Sequence, residues 1–173
     1  LTQLTAIPKA EFTKTELIAS IAVMSALIAV LTALSVRIST LTVFNAGLLG
    51  VYIVSILFGR NIGMFSAGLG SAVAEIYLMS VRGDPILFLF GLIAARVPAA
   101  GLTGTLRKRF PIYGMVAGAC LQTVIFLAID IPIFGLGIAA SLVWSLPFNI
   151  LLVIPAHLII KGARAKLRKD FLY

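Results

Sequence analysis

Two ionisable side chains stand alone in long apolar stretches of this 173-residue chain: Glu75, in Ser71-Ala-Val-Ala-Glu75-Ile-Tyr77, and Arg96, in Leu92-Ile-Ala-Ala-Arg96-Val97. A carboxylate and a guanidinium so placed can neutralise each other, line a cavity for a small molecule, or line a path for an ion. Few other groups offer chemistry. The one cysteine, Cys120, excludes an intrachain disulfide, and the one histidine, His157, has no neighbouring His or Cys and reads as structural. No G-x-x-x-x-G-K-[ST] phosphate loop, H-E-x-x-H or G-x-S-x-G occurs, and Gly101-Leu-Thr-Gly104 lacks both the spacing and the lysine of a phosphate loop. With six Asp+Glu in all, no catalysis is expected, and neither a metal nor a cofactor.

The elements that must hold these side chains follow from composition. Hydrophobic residues make up 61% of the chain and charged ones 12%, with a mean hydropathy of +1.12. Soluble domains are about half apolar and a quarter charged, so this balance predicts an all-α integral membrane protein, a single membrane domain solvated by lipid. Apolar runs place six transmembrane helices near 16–36, 43–58, 62–79, 86–106, 112–129 and 136–161, with a basic cytoplasmic tail over 162–173. Charged breaks, most of them containing Gly or Pro, separate them at Arg60-Asn61, Arg82-Gly-Asp-Pro85, Arg107-Lys-Arg-Phe-Pro111 and Asp130-Ile-Pro132. The boundary over 38–47 is the least sharply marked. Strands are not expected, because the runs are continuous and longer than the alternating segments of a barrel. The first run lacks a small-residue cleavage site and reads as a retained helix. Six crossings leave only short loops in this sequence, with no soluble catalytic module.

Charge sets the orientation. Lys9, Lys14, Arg60, Arg107, Lys108, Arg109 and the cluster from Lys161 to Lys169 fall on one side of the alternation, against Arg37 and Arg82 on the other. The positive-inside rule then puts both termini in the cytoplasm of a multi-pass protein of the cell membrane. The net charge of +8 reads as topology, not as a nucleic-acid surface.

Membrane helices associate through small residues that let backbones approach. One ridge runs Gly59, Gly63, Ala67, Ser71 and ends on Glu75; others comprise Gly91, Ala95 and Ala99, and Gly114 and Gly118. In the first helix Ala22 and Ala26 lie four apart, with Ser25, Ala29 and Ala33 on a neighbouring ridge. These ridges either bind the bundle together or, on the first helix, face another membrane protein. At the outer end the topology gathers Arg37, Asn45, Tyr77, Arg82, Asp84, Asp130, Trp144 and Asn149, the last just after Pro147, which is expected to bend the last helix. An apolar cavity with a few convergent polar groups is how small-molecule sites are built. Trp144 reads equally as an interfacial anchor, Gln122 as an interhelical hydrogen bond, and the two outer arginines hint at an anionic ligand group. Glu75 and Arg96 differ in depth by roughly 10 Å at the rise of a helix, which leaves a structural pair and a ligand cavity both open.

Leu57-Phe-Gly-Arg-Asn-Ile-Gly63, running into Ala67-Gly-Leu-Gly70, resembles the F-G-P-x-x-G…G-x-x-G-D pattern of the substrate-binding S components of energy-coupling factor (ECF) transporters. Pro147-Phe-Asn149 resembles the P-F-N of their last helix, and Ala22-x-x-x-Ala26 the alanine motif by which their first helix meets the coupling subunit. Arg60 stands where proline is common, and Ser71 where an acid often follows, with an acid only at Glu75. The resemblance implies a subunit that captures a vitamin-like small molecule at the outer face. It implies partners too: a transmembrane coupling subunit and two cytoplasmic ATPases. Glu75, Trp144 and Asn149 would contribute to the site, with Arg96, Asn45 and Tyr77 as further candidates; Ala22, Ala26 and Ala29 would form the docking face. The alternatives are a small multi-span scaffold, which needs no pocket, and an ion-coupled carrier or channel, which predicts inverted repeats that the two halves do not display.

Overall fold

The computed structural model describes residues 13–37, 43–139 and 143–166. They form helices α1 (Lys14–Ala33), α2 (Gly47–Phe58), α3 (Arg60–Arg82), α4 (Ile86–Leu106), α5 (Pro111–Phe134), α6 (Leu136–Ala139), α7 (Ser145–Leu151) and α8 (Val153–Lys166), and strands β1 (Ser35–Arg37) and β2 (Val43–Asn45). Five segments are long and apolar enough to cross a membrane: α1, α3, α4, α5 and the combined run Ser145–Ala165. The exterior agrees. Phe65, Leu69, Val73 and Ile76 of α3 are all more than half exposed, while the same helix buries Gly63, Ala67, Ser71 and Glu75. Large apolar side chains facing out and small ones facing in on such a helix are the pattern of an all-α membrane protein.

The expected second crossing differs. α2 has only 12 residues, about 18 Å of helix against a hydrocarbon core of about 30 Å. Residues 43–45, expected as its first turn, instead form β2, which pairs antiparallel with β1 and sets Val36 opposite Phe44. A small two-stranded hairpin therefore replaces the end of the first expected helix and the start of the second. α2 is nonetheless the most enclosed element, packing against α1, α3, α4 and α8, with Leu48, Val51, Tyr52, Val54 and Ile56 essentially without exposure.

Local chemistry fixes the ends. Thr13 and Glu16 cap α1 reciprocally: the Thr13 N–H donates to Glu16 Oε2 at 2.8 Å, and the Glu16 N–H to Thr13 Oγ1 at 3.3 Å. Between α2 and α3 the chain reverses at Gly59, whose φ of +95° favours a residue without Cβ. There Arg107 Nη1 donates at 3.1 Å to the Leu57 carbonyl, one of the acceptors left over at the end of α2. α5 starts with Pro111 in its first turn and runs through Asp130 and Pro132 to Phe134, five residues past its expected end. The last expected helix breaks at Leu152, a turn between α7 and α8. Pro155 explains the position, since its ring clashes with the carbonyl four residues earlier, that of Leu151. α8 then continues to Lys166, so the start of the expected basic tail is helical.

Close approaches set the packing. A Cβ on Gly70 would stand 2.6 Å from the Ser25 carbonyl of α1, and one on Gly63 2.5 Å from Ser55 Oγ of α2. Ser66 donates to the Ile21 carbonyl at 3.4 Å. Ile21 and Ser25 thus lie beside Ser66 and Gly70, so α1 and α3 run parallel, with Lys14 and Arg60 at the same end as Arg107. Ser35, Arg82 and Asp84 mark the opposite, hairpin end.

Candidate functional site

Toward the hairpin end the bundle encloses a cavity of about 110 Å³. α2 begins at Gly47, level with Thr32 and Arg96: a Cβ there would come within 2.5 Å of the Arg96 guanidinium. The longer helices run past that point, and the cavity lies among them, with no residue of α2 in its wall. Its walls are Thr32 of α1, Ser35 of β1, Glu75, Leu78 and Arg82 of α3, Asp84, the α4 residues Leu87, Phe88, Gly91 and Leu92, Gln122, Phe126 and Asp130 of α5, and Ser145 and Asn149 of α7.

The small-residue ridge of α3 explains how Glu75 arrives there. Gly63, Ala67, Ser71 and Glu75 recur every fourth residue on the buried face, so the ridge that lets α3 approach α2 delivers the carboxylate to the interior a few turns later. Glu75 is 5% exposed. Arg96 is 1% exposed and donates to Thr32 Oγ1 at 2.6 Å and to Ser71 Oγ at 3.1 Å. It reaches the ridge one turn below Glu75, as the offset in depth anticipates, and the Glu75 carboxylate acts on its charge. Arg96 thus stands behind the wall and holds Thr32, which itself faces the cavity. At the hairpin Arg82 donates from Nη1 to Ser35 Oγ and from Nη2 to the Ser35 carbonyl, both at 2.7 Å, tying α3 to β1. Phe44 of β2 stacks edge-on against Phe148 of α7 with ring centroids 5.5 Å apart, and Tyr52 of α2 donates to the Asn149 carbonyl at 3.2 Å. The hairpin and α2 thereby fix α7, and with it Asn149.

Of the site residues read from sequence, Glu75 and Asn149 line the cavity together, and Arg96 buttresses it. Two others lie elsewhere. Tyr77 is two positions from Glu75, about 200° around the helix, and is 53% exposed on the outer face of α3; Trp144, just before α7, is 73% exposed. Neither faces the cavity. The Asn45 side chain lies outside the described residues. Gln122, expected as an interhelical hydrogen bond, is instead a wall residue whose Oε1 is buried without a hydrogen-bond partner. Its spacing from Asp130 is the signal that sequence reasoning passes over: Gln122, Phe126 and Asp130 are four apart, one stripe of α5. On α1, Ala22 and Ala26 are exposed, whereas Ala29 is buried and faces the bundle. Among the described residues no group of His, Cys, Asp and Glu could hold a metal ion.

No known protein family matches this chain, and no curated protein or solved structure is significantly similar to it.

Proposed function

We propose that the chain is the substrate-capture subunit of an ATP-driven importer of the energy-coupling factor type. In this reading it crosses the cell membrane six times, α2 and the hairpin together making the short second crossing, with both termini inside and the hairpin end outside. The observation that carries the proposal is the cavity at that end. It is confined to one end of the bundle, and its wall mixes apolar and aromatic side chains, Leu78, Phe88 and Phe126 among them, with polar ones that include Glu75 and Asn149. That is the form of a site that binds and holds, not of a continuous path. Parallel α1 and α3, with Arg60, Arg107 and Arg164 grouped at the other end, support the orientation by the positive-inside rule. The exposed Ala22 and Ala26 give α1 a narrow face on which a coupling subunit could pack closely. Two cytoplasmic ATPases would supply the energy, and the basic C-terminal segment would hold to anionic lipid at about 1 kcal/mol per charge.

The test is mass spectrometry of small molecules that co-purify with the protein from its membrane, followed by thermal-shift titration with vitamins. A retained molecule is expected, with stabilisation that is lost in Glu75→Gln and in Asn149→Ala. A protein that retains nothing and responds to no vitamin would be a scaffold instead.

A further inference from the structure

The polar groups of the cavity are not equally engaged. Arg82, in its wall, spends two donors on Ser35, and Arg96, behind it, spends its own on Thr32 and Ser71 while facing the charge of Glu75. Both cations are committed to protein groups. On α5 the opposite holds. Asp130 is 8% exposed, lines the cavity, and among the described residues makes no hydrogen bond or ion pair. Gln122, two turns deeper on the same stripe and 5% exposed, has its Oε1 buried and without a partner. Leaving a buried acceptor unsatisfied costs about 1–3 kcal/mol, and more for a charged one, so both positions call for something that donates. Between them lies Phe126, with Phe88 of α4 also in the lining.

Resting on the capture reading above, we infer that the ligand is a small organic cation: a protonated amine on a body of about one aromatic ring, with a second hydrogen-bond donor at its far end. The ammonium pairs with Asp130, the ring lies against Phe126 and Phe88, and the distal N–H or O–H donates to Gln122 Oε1. The axial distance from residue 122 to residue 130 is about 12 Å, which the two side chains shorten to the span of such a molecule. The cavity of about 110 Å³ is of the order that admits one ring. This reverses the hint drawn from Arg37 and Arg82 alone, because the guanidinium of Arg82 is already bound to Ser35.

Three probes of one skeleton isolate the charge: tyramine (cation), tyrosol (neutral) and 3-(4-hydroxyphenyl)propionate (anion), titrated at millimolar concentration against the full chain in nanodiscs, with melting temperature as readout. Tyramine is expected to stabilise the protein and the other two are not. Asp130→Asn should weaken tyramine roughly thirtyfold, as for loss of one partner of a buried charge pair, with the unliganded melting temperature at or above wild type. Should that variant fail to fold, Gln122→Leu serves instead, and it should weaken tyramine but leave phenethylammonium, which lacks the distal donor, unchanged. Preference for the propionate, or tyramine binding indifferent to both substitutions, overturns the cation and leaves the capture reading standing. The cation is overturned in the same way if no probe binds while an anionic or neutral molecule co-purifies; an amine that co-purifies supports it. If no probe binds and nothing co-purifies, both readings fall together.

Discussion

α1 and α3 carry the same sequence device, small residues four apart, and use it in opposite ways. On α3, Gly63, Ala67 and Ser71 are buried, and a Cβ on Gly63 would collide with Ser55 of α2. On α1, Ala22 and Ala26 face outward, while Ser25, Ile28, Ala29 and Thr32 turn toward α3 and the core. Spacing therefore shows only that two backbones can come close. Which backbones do so depends on what else the helix must bury. α3 has a polar terminus to its ridge, Glu75, which lipid would not tolerate, so its orientation is forced. The Ala22–Ala26 face of α1 ends on nothing polar, and it is free to meet lipid or a partner.

Three variants sharpen that contrast, and the largest effect belongs to Arg96→Ala. Removing the guanidinium leaves Glu75 without its countercharge and Thr32 and Ser71 without their donor. Equilibrium unfolding in detergent should show a loss of about 3–5 kcal/mol, the range for breaking a buried pair on one side. Gly63→Ala comes next, at about 1–3 kcal/mol, because the added methyl must displace Ser55 or separate α2 from α3. Its cost is read from the same unfolding curves. Smallest in stability is the pair Ala22→Leu with Ala26→Leu, expected to lie within about 0.5 kcal/mol of wild type since neither side chain is enclosed. The contrast breaks if that pair costs as much as Gly63→Ala. It sharpens if the pair leaves ligand binding intact while uptake by cells that carry the coupling subunit and ATPases is lost.

Much of the fold is legible in the sequence, for reasons that apply unevenly. Long apolar runs and the ridge ending at Glu75 repeat a signal over several turns, and they place α3, α4 and the buried acid correctly. Ser35-Val-Arg37 and Val43-Phe-Asn45 are too short for any periodicity to distinguish strand from helix, so the hairpin reads as helix ends. The sequence puts a bend of the last helix at Pro147, but Pro147 lies in the first turn of α7, where a missing N–H costs little. Pro155 holds the same third position in α8, and the run that starts at Ser145 breaks just ahead of it, at Leu152. Level alone groups Tyr77 and Trp144 with the site. Level is not direction, and two residues of one helix can share a depth yet face opposite ways. The unengaged state of Gln122 and Asp130 lies beyond the sequence altogether, since it depends on where every other donor is spent.

A last consequence attaches to the 12 residues of α2. The cavity lies among the longer helices, and α2 stops short of it, with none of its residues in the wall. Such a site is tuned by length. One more helical turn, about 5.4 Å, added before Gly47 would drive backbone into the space beside Thr32 and abolish the cavity in one step. Single substitutions in the wall would only reshape it. Across a lineage, insertions and deletions between α1 and α2 would then change the size of the cavity more than any point change in the surrounding helices.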